Sequence, residues 1–159
     1  MSLIIKDKIQ QLIAGYPTVS DKYGVAGAIL EGSTPVKFGS MVKLGSTAGY
    51  FTAPTALTAA TLGGFVVATN VKLAEDWPGS TVQVNPGEAF NLLVNGFIAV
   101  ELASDVTIGD ITPNAPVYVT AAGAVCGKST TSAIAVPNAT FTGLYEKQGT
   151  KYVAEIYVR

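Results

Sequence analysis

From Gly24 to the C-terminus, the sequence consists of short apolar runs separated by Gly, Pro, Asn and Ser. Apolar runs of roughly four to eight residues bounded by turn-forming residues are typical of β-strands. The predicted strands are Ala26–Leu30, Ser40–Leu44, Gly64–Thr69, Thr81–Val84, Phe90–Val94, Phe97–Leu102, Pro116–Thr120, Ala124–Cys126, Thr142–Lys147 and Lys151–Val158. Many short strands in succession predict a mainly β fold, a small barrel or sandwich of short antiparallel strands.

Three turn signals divide these strands into hairpins. Asn95-Gly96 lies between two apolar runs and is a strong type I′ hairpin signal, because both residues tolerate positive φ. Residues 121–124, Ala-Ala-Gly-Ala, mark a second and looser hairpin, and Gln148-Gly149 marks a third.

Two tracts, residues 46–62 and 128–140, are rich in Thr, Ala and Ser. Because they lack the apolar density of a core, we expect surface loops or flaps there. Gly39–Leu44 precedes the first tract and Asn114–Val119 precedes the second, and each tract gives way to a Gly-led strand. This shared order suggests two similar half-barrels.

Residues 3–16 carry a helical pattern instead. At about 100° per residue, five large side chains fall within an arc of about 100°. Gly15 followed by Pro17 is a C-terminal stop. We therefore divide the chain into a short N-terminal amphipathic helix or arm, residues 1–23, and a β-barrel-like domain, residues 24–159. About three turns of helix are marginal alone in water, so the segment docks either on its own domain or on a neighbouring subunit.

Six residues are predicted to contact a partner. Five of them form the apolar face of the N-terminal segment. The sixth, the single Trp, lies in a turn-like setting and is either an interface anchor or a partly buried core residue. The predicted partner-binding residues are Ile5, Ile9, Leu12, Ile13, Tyr16 and Trp77.

Low charge limits the classes of partner. Charged residues make up 13% of the chain, against about a quarter in a typical soluble domain, and apolar residues make up 48%. Arg159 is the single Arg and the Lys residues form no basic run, so we expect no nucleic-acid binding. No apolar stretch is long enough to predict a membrane span, and the N-terminus does not resemble a signal peptide. These features predict synthesis in a cytoplasm and no contact with a membrane.

Catalytic chemistry has little support in the sequence. His is absent, which removes Ser-His-Asp and Cys-His nucleophilic sites and the usual His-containing zinc sites. Cys126 has no acid–base partner in view and is predicted to be a small core hydrophobe. Glu101, Asp105 and Asp110 lack the spacing of a calcium loop, so we interpret them as solvated turn residues. We expect no enzyme activity, no catalytic residue, no cofactor and no metal site.

The last two-thirds of the chain carries a family resemblance. Residues 84–102 form a Pro-Gly-led pair of apolar runs, and Ile108-Gly-Asp follows. The stretch Ala115-Pro-Val-Tyr-Val-Thr-Ala-Ala-Gly-Ala-Val comes next, and the alternating strand Tyr152–Val158 ends the pattern. This sequence resembles the capsid cement, or head decoration, proteins of tailed phages.

The resemblance implies a β-barrel-like virion protein that binds the outer surface of a phage capsid and bridges capsid subunits. It implies the major capsid protein as partner, a homo-oligomer with a trimer favoured, synthesis in the host cytoplasm, and no cofactor. A low-charge, apolar chain also fits a protein that neighbours complete. Two alternatives stay open: another phage structural component, such as a tail or fibre part, and a carbohydrate-binding β-module.

Overall fold

The computed structural model describes residues 12–18, 23–68 and 83–159, whose regular structure is strands with two short 3₁₀ turns, Ala59–Thr61 and Ile108–Asp110. The mainly β prediction is confirmed. Within these ranges no helix is long and apolar enough to cross a membrane. The strands are β1 (Gly24–Leu30), β2 (Val36–Lys37), β3 (Met41–Leu44), β4 (Tyr50–Thr52), β5 (Leu62–Val67), β6 (Gln83–Val84), β7 (Ala89–Glu101), β8 (Pro116–Val119), β9 (Val125–Cys126), β10 (Ile134–Gln148) and β11 (Lys151–Val158).

Five strands close into a first ring. They are hydrogen-bonded in the order β1, β4, β3, β5, β7, and β1 pairs again with β7. The β1–β4 pairing is parallel and the others are antiparallel. Closure leaves the ring no free strand edge. The small sheet of β2 and β6 adds Val36 and Val84 to the core of this ring.

A second ring continues from the same long strand. Its order is β7, β11, β10, β8, β9, and all of these pairings are antiparallel. A parallel bridge between Leu102 and Val125 brings β9 back to the end of β7. The Ala103 N–H donates to the Val125 carbonyl over 2.7 Å at this point. The second ring therefore closes through one bridge rather than through a full ladder.

The two rings repeat one topology. Their strands occur in the same chain order, and each ring is closed by a parallel contact. β3 corresponds to β8 and β5 corresponds to β10, and these strands contain the stretches that suggested a repeat in the sequence. The two similar half-barrels suggested by the sequence are therefore these two rings, which share β7.

The predicted hairpin at Asn95-Gly96 is wrong, because β7 runs through both residues as one strand. Asn95 pairs with Gly24 of β1, whereas Gly96 pairs with Val158 of β11. Gly96 has φ of +119°, but Asn95 does not have the positive φ that a type I′ turn also requires. The dipeptide therefore marks the point where β7 leaves the first ring and enters the second.

The other two predicted hairpins are present. Residues 121–124 connect β8 to β9, and Gly149 with φ of +63° lies between β10 and β11. The two Thr/Ala/Ser-rich tracts are only partly loops. Residues 46–62 contain β4, which completes the first ring, and residues 128–140 contain the start of β10.

Strands shared between two cores explain the long apolar runs. On β5, Val66 packs into the first ring while Phe65 and Val67 pack into the core of the second. On β3, Val42 packs into the core of the first ring and Met41 into the core of the second. A strand that is buried on both faces reads as a continuous apolar run instead of an alternating one.

Residues 12–16 are not helical, so the predicted helix is wrong over these residues; residues 1–11 lie outside the described ranges. Gly15 does have the left-handed φ, +87°, expected of a stop. Residues 15–18 instead add a short strand to β7, because the Gly15 N–H donates to the Ala99 carbonyl and the Ala99 N–H donates to the Tyr16 carbonyl. Pro17 lies opposite Ile98 in this antiparallel contact. Tertiary hydrogen bonds have overridden a weak local helical preference.

Candidate functional site

The structure places three of the six predicted partner-binding residues. Leu12 is buried against Ala99 and Val153, and Tyr16 packs against the core of the first ring. Ile13 is partly exposed. Leu12 and Tyr16 are thus covered by the chain itself. Ile5, Ile9 and Trp77 lie outside the described residues.

Two side chains of β10 hold the backbone at Leu12. The Leu12 N–H donates to Glu146 Oε1 over 2.9 Å, and Gln148 Nε2 donates to the Leu12 carbonyl. Gln148 Nε2 also donates to Glu146 Oε1, which fixes the two side chains relative to each other. This clamp attaches the end of the N-terminal segment to the second ring.

An exposed apolar patch lies on the outer face of the first ring. Val25 and Ile29 are 42% and 36% exposed on the same face of β1, and Gly27 between them has open space where a Cβ would stand. Tyr50 of β4, 39% exposed, lies beside Ile29 in the parallel pairing. We call Val25, Ile29 and Tyr50 the ring-one patch. Closed-ring strands hold these three side chains in fixed positions, which makes the ring-one patch a candidate interaction surface.

A second exposed apolar feature lies on β10. The pairing with β11 shifts between Phe141 and Tyr145, so that residues 142–144 face a single residue, Glu155. This is an enlarged β-bulge with three residues opposite one, and it leaves Leu144 and Tyr145 58% and 44% exposed. We call these two residues the ring-two knob.

The bulge is locked in place. Gly143 has φ of +90°, and a Cβ there would stand 2.7 Å from Pro113 Cγ. The Thr142 hydroxyl donates to the Glu155 carbonyl and accepts from the Leu144 N–H, each over 3.3 Å. The knob is therefore presented by an ordered irregularity rather than by a loose loop.

A cleft of about 360 Å³ opens where the two rings meet. Its apolar lining includes Val36, Phe38, Pro54 and Leu102, and its polar lining includes Lys37 and Glu101. The tip of the β8–β9 hairpin, residues 122–124, forms one side. Gly123 stands against Pro54 so closely that a Cβ would lie 2.5 Å from the proline ring.

Two of the three acidic residues that the sequence brought forward, Asp110 and Glu101, have hydrogen-bonding or ion-pair partners. Asp110 accepts from the Ser129 N–H over 2.8 Å and from the Ser129 hydroxyl over 3.0 Å. Glu101 forms an ion pair with Lys151 at 2.7 Å. Within the described part of the chain, no three His, Cys, Asp or Glu residues converge on a point where a metal could bind.

Cys126 is fully buried, as predicted for a core hydrophobe. Burial raises the pKa of its thiol above the ordinary value, with smaller raising effects from Asp105 and Asp110. A neutral, enclosed thiol is a poor nucleophile.

Sequence reasoning missed the patch, the knob and the cleft. For the patch, the alternation of Val25, Gly27 and Ile29 defines one face of a strand but does not tell whether the fold covers that face. For the knob, Gly143 followed by two large apolar residues in a strand hinted at a bulge. The cleft depends on how two rings meet, and no local pattern encodes that.

Comparison with known proteins gives two findings. The sequence matches the phage cement family model, described as structural cement protein, over residues 5–158. The fold matches a chain from the capsid of Myoviridae phage XM1 with a TM-score of 0.65 and 18% identity, covering 100% of this chain and 97% of that one. At that identity the second match concerns the fold alone. No curated protein sequence matches this chain.

Proposed function

Because this chain belongs to the structural cement protein family of phages, we propose that it binds the outer surface of an assembled capsid and bridges capsid subunits. A capsid-associated structural role in the virion follows from the family itself. The site of binding and the way in which subunits are bridged are the parts we propose.

The observation that carries the proposal is a pair of separated apolar surfaces on one body. Ile29 of the ring-one patch pairs with Ala89 of β7, while Tyr145 of the ring-two knob lies across β11 from Val100. A strand rises about 3.3 Å per residue, so these two points along β7 are at most about 36 Å apart. Two surfaces at different places along one shared strand allow one copy to touch two neighbours at once.

We assign the ring-one patch to the capsid. Its members lie on a closed ring with no free strand edge, so recognition there depends on side chains rather than on strand addition. Fully burying an exposed side chain of this size is worth roughly 1.5–3 kcal/mol. Because these three side chains are already more than half covered, each contributes a fraction of that on binding, and part is lost to the entropy of association. Because the protein binds only the folded shell, its binding stabilises the shell by mass action.

The test is co-sedimentation with purified empty shells of the phage that encodes this chain. We expect the wild-type protein to pellet with shells and to raise the temperature at which shells disrupt. The variant Ile29→Asp introduces a charge at the centre of the patch and should reduce the fraction pelleted at least tenfold. Its own melting temperature should stay close to wild type, because Ile29 is exposed.

Thr131→Asp is the matched control, since it adds the same charge on an exposed loop of the second ring. It should pellet like the wild type. Wild-type protein that stays in the supernatant would overturn the proposal. Equal pelleting of wild type, Ile29→Asp and Thr131→Asp would show that the ring-one patch does not bind the capsid.

A further inference from the structure

The bulge on β10 exposes a large apolar side chain, and several irregular features of the backbone are needed to hold it there. Among the large apolar side chains of the described residues, Leu144 is the most exposed. Presenting it requires an interrupted ladder, a left-handed Gly143 and close packing on Pro113. Bulges commonly re-aim a side chain towards a site of function. An ordered apolar projection of this kind needs an apolar receptor.

The cleft between the rings is such a receptor. At about 360 Å³ it is large enough for side chains of this size, and it lies within the range of ordinary ligand pockets, roughly 300–1,000 Å³. Its accessible apolar lining comes from Pro35, Ala53, Pro54 and Ala122, above the buried Val36, Phe38 and Leu102. Leu144 and Tyr145 do not line the cleft of their own chain. A neighbouring copy of the chain carries the same knob and can supply it to this cleft.

The knob and the cleft lie close together on one molecule. The Leu102 N–H donates to the Tyr152 carbonyl over 2.9 Å, and the rings of Tyr152 and Tyr145 are 6.2 Å apart in an edge-to-face contact. Tyr152 thus stands between the knob and the wall of the cleft. Two complementary features side by side suit a two-fold axis, across which each copy donates to and receives from the other.

Charged side chains border both the knob and the cleft. Lys147 lies next to the knob, with its ammonium group 5.7 Å from the centre of the Tyr152 ring. The cleft carries Glu101 and Lys37 at its lining. Apolar centres with charged margins are typical of protein–protein contacts.

We propose that two copies of this chain associate by inserting the ring-two knob of each into the inter-ring cleft of the other. The inference rests on the proposed function for its place on the shell, where it supplies the second contact by which subunits are bridged. The reciprocal contact gives a dimer, not the trimer that the family resemblance implies, so the mass of the associated species separates the two.

Disulfide trapping tests the contact in the free protein. Leu144→Cys and Ala122→Cys place one thiol on the knob and one on the exposed tip of the cleft wall. The native Cys126 is fully buried and does not compete. Mixing the two variants under mild oxidation should give a cross-linked dimer, and the double variant should give a dimer joined by two disulfides.

Leu44→Cys is the matched control, because Leu44 is 48% exposed on the first ring, away from the knob. Mixed with Ala122→Cys, it should give at least tenfold less dimer. Ladders of higher mass from the double variant would overturn the two-fold arrangement. Cross-linking of Leu144→Cys to itself would overturn insertion into the cleft, and so would no cross-linking at millimolar concentration.

Leu144→Asp gives an independent readout. It should fold normally and sediment as a monomer at concentrations where the wild type is a dimer. Because the ring-one patch is intact, it should still pellet with shells. Loss of self-association with shell binding retained supports both proposals. A wild type that binds shells but never self-associates contradicts the knob-in-cleft contact and leaves the proposed function intact.

Discussion

Phe65 and Val66 are adjacent on β5, both are buried, and they belong to different hydrophobic cores. Phe65 is 2% exposed in the core of the second ring, and Val66 is 0% exposed in the core of the first. The two rings therefore share a wall as well as the long strand β7. Detaching β5 would therefore expose the cores of both rings.

Shared walls predict that the chain unfolds as one unit. Phe65→Ala should lower the free energy of unfolding by about 3–5 kcal/mol, and Val66→Ala by about 2 kcal/mol. Both variants should show a single transition in urea, with far-ultraviolet circular dichroism and tyrosine fluorescence changing together. Separate transitions for the two rings would contradict the shared-wall account.

Gly39 is predicted to be intolerant of a side chain. It has φ of +80°, and a Cβ there would stand 2.8 Å from the Gly15 nitrogen, where the N-terminal segment meets the turn that precedes β3. Gly39→Ala should destabilise the protein by more than about 1–2 kcal/mol, the usual cost of a left-handed Ala. Gly27→Ala is the control, because that position has open space and an ordinary φ, and its melting temperature should change little.

The clamp on Leu12 predicts that the N-terminal segment belongs to the chain's own fold at this point. Leu12→Ala should lower the free energy of unfolding by about 2 kcal/mol or more, since Leu12 is 7% exposed. Glu146→Leu leaves the Leu12 N–H without its acceptor and should cost about 1–3 kcal/mol. Glu146→Gln keeps an acceptor oxygen and should cost less. If Leu12→Ala melted normally but no longer bound shells, Leu12 would instead be a partner-contacting residue.

Burial of Cys126 predicts a specific dependence of stability on pH. The pKa of the folded thiol is raised above its ordinary value of 9.0, so the neutral thiol contributes stability that is full below pH 9. That contribution is lost as the pH rises through the higher folded value. Cys126→Val removes the group but keeps Tyr16, whose pKa burial also raises. The stability of wild type relative to Cys126→Val, measured by urea titration at a series of pH values, should be constant below pH 9 and should fall as the pH rises above 9; a constant difference throughout would contradict it.

Local signals in the sequence predicted the strands well and their connection less well. Turn residues and apolar runs placed β8, β9 and β11 within a residue or so, because those signals are local. Asn95-Gly96 misled because a dipeptide suited to a hairpin is equally suited to a bend within a strand, and only the pairing of β7 with β1 and β11 decides between them. The end of the N-terminal segment was misassigned because Glu146 and Gln148, more than a hundred residues away, supply its hydrogen bonds.

The candidate surfaces were less predictable than the fold. Five of the six predicted contacts were chosen from the helical pattern of the N-terminal segment, and two of those five, Leu12 and Tyr16, pack on the chain's own core. Partner contact through Ile5, Ile9, Ile13 and Trp77 stays a prediction. The ring-one patch and the ring-two knob depend on which face of a strand the fold covers, which the alternation of residues cannot tell alone.

Imaging of shells with and without the protein tests the central claim most directly. Electron cryo-microscopy of purified empty shells, before and after incubation with the protein, should show added density on the outer surface, in contact with two capsid subunits at each site. The protein should fit that density with Val25, Ile29 and Tyr50 against the shell. Density on the inner surface or only on the tail, or shells that stay unchanged at saturating protein, would contradict the account.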